Sequence, residues 1–494
     1  MMVGRPTRRE FIQTAGLVAA GVAALGTAGC LPNTGSPASS SRPSGSTKTR
    51  SFRSRPDLKV PILTVSYPSP QPSPRGRGEG EAGLFFVAPG GPMIADANGE
   101  PIWFHPVSKN VANFRAQMLG SEPVLTWWEG TVGKGYGLSG QLVIADTTYK
   151  ELHRVSAGNG FQADLHEFVV TAKETALLTA YHEVPGDLSA FGGPAQGTIL
   201  DSIVQEVDIA SSRVLFEWHS LGHIALNETH ATYTKGQPFD YFHINSIEED
   251  SDGNLLISAR NTWAIYKIDR GSGAVMWRLG GRQSSFAMGS GTIFAWQHDA
   301  RRQSDGTITL FDDGAAPKVE SQSRGMVLTL DEALMKASLS RQYTHGGNGI
   351  SASSQGNLQV LSNGDVLVGW GSEPYFTEFD AQGHIVADGK FAGTFQSYRA
   401  FRLPWSAQPS DPPAIAAEKA GSGAIVYASW NGATDVDRWE AMGGSSADSL
   451  QRIGAAKRSG FETAIKISSQ PAFVAARALD ASGTVLGTSP AITL

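Results

Sequence analysis

The sequence predicts an all-β chain, a six-bladed β-propeller followed by a small immunoglobulin-like β-sandwich, on three observations. Short alternating apolar runs bounded by Gly, Asn and Asp dominate the chain, and helical periodicity is confined to Glu332 to Leu339. One pattern then recurs six times: an alternating apolar run, an Asp, a turn, and a second apolar or Trp-bearing strand. Its aspartates, Asp96, Asp146, Asp208, Asp269, Asp331 and Asp380, stand 49 to 62 residues apart, the size of one propeller blade. Finally, the repeat ends near Pro412, and the short strands from Ala424-Ile425-Val426-Tyr427 to Leu494 suit a sandwich without the cysteine pair of antibody domains. Irregular spacing and turn-rich hairpins favour a closed ring over a solenoid.

Taken in order, residues 1–29 read as a twin-arginine signal peptide. Thr7-Arg8-Arg9-Glu10-Phe11-Ile12 precedes a weakly apolar run, Ala15 to Ala28, that is too short for a comfortable membrane span. Thr27-Ala28-Gly29-Cys30 is similar to the box that is cleaved and acylated in bacterial lipoproteins, so Cys30 is the expected lipidation point and membrane anchor. Thr27 stands where that box usually has an aliphatic residue, and simple cleavage near Ala28 is the alternative. Residues 30–54 are a Ser/Pro/Thr/Gly linker too polar to offset its ordering entropy. The propeller is expected over 55–411, with a Pro/Gly/Arg/Glu surface insertion at 68–83, and the sandwich over 412–494.

Composition narrows the function. At 40% hydrophobic and 17% charged, the 494 residues can bury a sizeable core. A formal charge of −6 gives no basic footprint, so nucleic acid is not an expected partner. One Cys excludes an internal disulfide framework and a thiolate zinc cluster.

A second repeated element starts each blade's first hairpin: Phe114-Arg115, Leu165-His166, Phe242-His243, Gln297-His298, Gly356-Asn357 and Tyr398-Arg399. The innermost strands of a propeller line its channel, so His166, His243 and His298 should converge on one axis. Taking Asp252-Gly253 as a two-residue turn sets Arg260 opposite Asn245. The same arithmetic pairs His298 with Asp313, Arg115 with Trp128, His166 with Tyr181, and Asn357 with Trp370. Arg, Asn and His donors suit an oxyanion with developing charge. A neutral imidazole can act as nucleophile or base, and aromatic walls suit a flat apolar group. The other histidines, His230 among them, read as surface or packing residues. A three-histidine metal site is the rival, but the histidines lack metal-ligand spacing and an arginine is poorly placed beside a cation; no metal and no cofactor are expected.

Several of these segments resemble the arylsulfotransferase family: His243-Ile244-Asn245-Ser246, Ser258-Ala259-Arg260, Trp277-Arg278-Leu279-Gly280-Gly281, Gln297-His298-Asp299-Ala300 and Gly369-Trp370-Gly371-Ser372. Ala163-Asp164-Leu165-His166-Glu167-Phe168 and Ser429-Trp430-Asn431-Gly432-Ala433-Thr434 are similar to its branch common in fungi and actinobacteria. The resemblance implies transfer of a sulfuryl group from an aryl sulfate donor to a phenolic acceptor, with no nucleotide sulfate donor. It also implies transient sulfation of His298, with His166, His243, Asn245 and Arg260 holding the sulfuryl oxygens and managing protons. Two other functions fit the same ring: a non-catalytic exported propeller binding an anion or glycan, and a metal-dependent hydrolase.

Overall fold

The computed structural model describes residues 48–68, 83–346 and 349–494. The expected signal peptide, Cys30, most of the linker and nearly all of the surface insertion lie outside the described residues. The chain is all-β, and the helical turns among the described residues are the short 3₁₀ segments Ser189–Phe191 and Leu226–Glu228. No helix among them is long and apolar enough to cross a membrane.

Six antiparallel sheets follow one another. The first comprises Asn110–Leu119, Glu122–Gly133, Tyr136–Ala145 and Glu151–Val155, and the second Ala163–Val170, Thr175–Gly186, Gly197–Asp208 and Val214–His219. Ile244–Glu249, Leu255–Ala259, Ala264–Ile268 and Val275–Gly280 form the third; His298–Arg302, Ile308–Asp312, Arg324–Asp331 and Lys336–Tyr343 form the core of the fourth. The fifth contains Asn357–Val360, Val366–Gly369, Tyr375–Phe379 and Ile385–Phe391, with Leu63–Ser66 added at its outer edge. The sixth joins Phe401–Leu403 to Leu84–Val87, Met93–Ala95 and Pro101–Phe104, so residues far apart in sequence share one sheet.

The repeated aspartates have one local role. Each follows or ends the third strand of its sheet and accepts backbone N–H groups of the next turn. Asp96 takes Asn98 and Glu100, Asp146 takes Thr148 and Lys150, and Asp380 takes Gln382 and His384. Asp208, Asp269 and Asp331 take Ser211, Ser272 and Leu334. A short carboxylate satisfies turn donors that a strand residue cannot reach, which is why this residue type recurs.

Strand alternation sends successive side chains to opposite neighbours. In the third sheet, Leu255 and Ile257 pack toward the second sheet with Trp218 and Tyr181, while Leu256 packs toward the fourth with Leu310 and Met326. Comparable apolar clusters join the first sheet to the second, the fourth to the fifth and the fifth to the sixth. Phe86 and Ile94 of the sixth then meet Phe114 and Trp127 of the first, so the order of contacts returns to its start.

Two differences from expectation concern element type and boundary. The stretch predicted helical is a turn leading into the strand Lys336–Tyr343, whose ladder to Arg324–Asp331 outweighs a short periodicity. The described part of the expected linker is also joined to the fold: Thr49–Arg50 pairs with Val60–Pro61, and Phe52 packs on Phe461 at 4.3 Å. Apolar Phe52 and the small Ser54, which bonds Ser429 and Glu462, escape a compositional reading.

At the C-terminal end, Ala414–Ala420, Gly423–Ser429 and Glu462–Ile467 form one sheet; Gln451–Lys457, Arg438–Gly444, Phe473–Leu479, Val485–Thr488 and Ile492–Thr493 form another. Both contribute to a shared core containing Val426, Ile465, Trp439 and Ala476. The Trp430-Asn431-Gly432 segment joins this unit to the six sheets. Asn431 exchanges two hydrogen bonds with the Phe104 backbone, and Gly432 donates to Ile102 and accepts from the Tyr149 hydroxyl. At φ 107°, Gly432 lies against the Tyr149 ring; a Cβ there would come within 2.3 Å of that ring.

Candidate active site

The three histidines of the consecutive second, third and fourth sheets come together, and each has its Nδ1 against an aspartate. His298 Nδ1 bonds Asp313 Oδ2 at 2.7 Å and His166 Nδ1 bonds Asp164 Oδ2 at 2.5 Å. His243 Nδ1 bonds Asp240. Such a partner fixes the tautomer by keeping the proton on Nδ1 and leaving Nε2 for chemistry. The His166 and His243 rings are 4.7 Å apart, nearly perpendicular, and Tyr181 stands 5.8 Å from one and 6.1 Å from the other.

His298 and Asp313 are wholly buried. Burial lowers the His298 pKa well below its ordinary value, and Arg260, His243, His166 and Arg399 lower it further. With Nδ1 against Asp313, its Nε2 accepts the Gln355 backbone N–H at 3.2 Å, the bonding pattern of a neutral imidazole. Arg260 is held from three sides: Nη1 donates to Asn261 Oδ1, Nη2 donates to the Ser353 carbonyl, and the guanidinium lies over Trp296 at 4.8 Å. Among the described residues, no group of three or more His, Cys, Asp or Glu side chains is disposed to hold a metal ion.

Bulges explain why these groups converge and why the expected strand register slips. The first hairpins break register between Ala112 and Arg115, Ala163 and Phe168, Ile244 and Ser246, and His298 and Arg301. A bulge re-aims a side chain and increases local twist. Inside two of these bulges Asn113 and Asp299 take left-handed backbone at φ 55° and 56°, and His243 and Gln355, just ahead of their strands, do so at 58° and 70°, a conformation that costs about 1–3 kcal/mol outside glycine.

The slip moves several expected partners. Arg260 N donates to His243 O rather than standing opposite Asn245, and Asn245 Nδ2 reaches across to the Gln297 carbonyl. Asn113 and Asn357 make the same cross-sheet bond, to Leu165 and Ala400. Trp128 faces Ala112, not Arg115, and donates its indole N–H to Ala163 O. Trp370 follows Gly369, the true partner of Asn357, and its indole donates to Thr377 in a core cluster. His298 faces Phe311 along the ladder, yet its ring reaches Asp313 as expected. Trp128 does line a narrow cavity of about 30 Å³ with Leu165, Gln355 and Tyr398, room for about one water.

Arg115 belongs to a buried ionic cluster instead of the histidine group. It donates to Glu167 at 3.0 Å, and Glu167 also binds Arg301 and Arg399. Burial pushes the Arg115 pKa down to about 10. Burial opposes ionisation of Glu167, but Arg301, Arg399 and Arg115 outweigh it and hold the carboxyl far below its usual range. Arg399 links the two regions: it bonds Asn113 Oδ1, the Asn245 carbonyl and the His166 carbonyl.

Contributors not singled out from sequence include Asp164, Asp240, Asn261, Gln355 and Trp296. Asp164 and Asp240 are readable in hindsight as Asp-x-His and Asp-x-x-His spacings. Asn261, which binds both Arg260 and the Asp240 carbonyl, has no such signal.

Comparison with known proteins adds a family. The family model described as arylsulfotransferase (ASST) matches residues 115–392. No protein of curated function matches the chain. Among solved structures, a protein of unknown function from Bacteroides caccae is similar at 13% identity and TM-score 0.39, covering 65% of this chain and 98% of its own. Virginiamycin B lyase from Staphylococcus aureus aligns at 8% identity and TM-score 0.34, over 74% and 94%. The β-propeller domain of Myceliophteria thermophila Cps50 (Swd1) aligns at 9% and 0.31, over 66% and 96%. Likenesses of this order carry no argument about activity.

Proposed function

Because the chain belongs to the arylsulfotransferase family, we propose that it transfers a sulfuryl group from an aryl sulfate ester to a phenol through a sulfohistidine at His298. On this reading the six sheets are blades of a propeller and the C-terminal sheets an immunoglobulin-like sandwich. The observation that carries the proposal is the convergence of three Asp-backed imidazoles beside Arg260, with the neutral His298 proton held on Nδ1 by Asp313.

In the first half-reaction the Nε2 lone pair of His298 attacks sulfur, forming the N–S bond as the S–O(aryl) bond breaks. The leaving phenolate takes the Nε2 proton of His243 or His166, which enters this step as an imidazolium held against its aspartate and leaves it as the neutral Nδ1–H ring, and Arg260 faces the charge on the sulfuryl oxygens. The Gln355 amide, which now donates to Nε2, is released to donate to a sulfuryl oxygen. In the second half-reaction the same histidine removes the acceptor's phenolic proton, the oxygen attacks sulfur, and the N–S bond breaks. A two-step cycle of this kind is ping-pong.

The test is incubation with p-nitrophenyl sulfate and an acceptor phenol, with and without chelator. Transferred sulfate insensitive to the chelator and abolished in His298→Ala supports the reading; wild-type rates in that variant overturn it. We further propose export by the twin-arginine route with lipidation at Cys30, supported by the Thr7–Ile12 and Thr27–Cys30 segments. Cys30→Ser should move the protein from the membrane to the soluble fraction, and an unchanged distribution would refute anchoring there.

A further inference from the structure

Two aromatic residues beside Arg260, Trp263 in its own turn and Trp296 under its guanidinium, lie off the strands. Arg260 and Trp263 bound a tight turn closed by Trp263 N donating to Arg260 O at 3.3 Å, and Trp263 has φ 53°. The Gln297 amide ties this turn to the root of His298 by donating to the Ala259 and Ala264 carbonyls. Trp296 is 3% exposed, anchored through its indole N–H to Pro317 O, and occupied by the Arg260 guanidinium. Trp263 is only half-buried; it meets Trp296 nearly at right angles, 5.1 Å between centroids.

The His230 imidazole lies flat on Trp263, 3.6 Å away and within 3° of parallel, and its backbone N–H is fixed on Asn261 O. Burial, aided by Arg282, pushes the His230 pKa down to about 4, so this ring is neutral. Trp263 Nε1 and His230 Nε2 are both out of solvent and neither has a hydrogen-bond partner in the protein. Burying a polar group without a partner is costly, and such groups call for an explanation. Here two occur on stacked rings connected through Trp296 to the Arg260 guanidinium.

We propose that Trp263 and His230 form the aryl-recognition wall of the site, selecting rings with a second polar substituent, such as a hydroxyl, that pairs with the two ring nitrogens. A hydroxyl both donates and accepts, matching an indole N–H and an imidazole nitrogen. The proposal rests on the sulfuryl-transfer reading only for the position of the sulfuryl group at Arg260.

Arylsulfonates test it because their C–S bond cannot take part in transfer. Calorimetric titration of the full chain should show 4-hydroxybenzenesulfonate binding about five- to tenfold more tightly than benzenesulfonate, the worth of about one good hydrogen bond. Trp263→Phe and His230→Phe keep the stacked rings but remove one nitrogen each, and each should erase that preference while benzenesulfonate affinity is retained. Trp263→Ala should weaken both ligands. Equal binding of the two ligands by wild type, no binding of either, or an undiminished preference in both Phe variants overturns the wall. Intact discrimination by a wild-type protein that transfers no sulfate would instead refute the sulfuryl-transfer reading and leave the wall standing.

Discussion

Asp313→Asn removes one charge from the nucleophile's support and little volume. As His298 Nε2 bonds to sulfur, the imidazole gains positive charge while its Nδ1–H stays 2.7 Å from Asp313 Oδ2. With charge centres about 4 Å apart and an effective dielectric of about 20, the carboxylate is worth about 4 kcal/mol to that state. At 1.36 kcal/mol per tenfold in rate, its loss slows sulfuryl uptake by about 10³-fold. Stopped-flow release of p-nitrophenol from p-nitrophenyl sulfate reads this step directly, with thermal unfolding as the control for folding. A burst in Asp313→Asn within about threefold of wild type would refute the electrostatic role assigned to Asp313.

Other parts of the molecule give independent tests. Gly432→Ala places a Cβ 2.3 Å from Tyr149 at a φ of 107°, and overpacking of this kind should cost about 1–3 kcal/mol in denaturant unfolding; unchanged stability would show that the joint yields freely. Glu167→Gln leaves Arg115, Arg301 and Arg399 without their shared carboxylate and should cost about 3–5 kcal/mol at neutral pH. Because the Glu167 pKa is depressed, the deficit should be full above the ordinary value of 4.5 and shrink as pH falls below it; a pH-independent deficit would contradict this. Glu248 runs the other way: burial raises its pKa to about 7. Its protonated form is favoured, so wild type should lose up to about 3 kcal/mol relative to Glu248→Gln as pH rises from 4.5 through 7. Parallel stability curves for the two proteins would refute that assignment.

The repeat was legible because its chemistry is local: each aspartate serves its own turn, whatever the distant strands do. The histidines were legible for a similar reason, since repeat position alone brings them to one end of neighbouring sheets. Exact register was not. It depends on bulges at Asn245, after His298 and near Arg115, and alternation in a sequence does not announce an unpaired residue. The same blindness misplaced the aromatic wall. Trp128 and Trp370, read from strands, spend their indole N–H groups on Ala163 O and Thr377. Trp263 and Trp296 stand near Arg260 because two tight left-handed positions put them there. Asn245 keeps its place among the gathered residues, but its visible bond is a strut to Gln297 O.

The most direct measurement is peptide mapping by mass spectrometry after rapid, non-acidic quenching of the protein with p-nitrophenyl sulfate in the absence of acceptor. The account predicts one sulfuryl adduct, on His298, that disappears when a phenol is added before the quench and is missing in His298→Ala. Continued p-nitrophenol release with an unmodified His298 peptide, or a phenol-labile adduct on His166 or His243 instead, would contradict it.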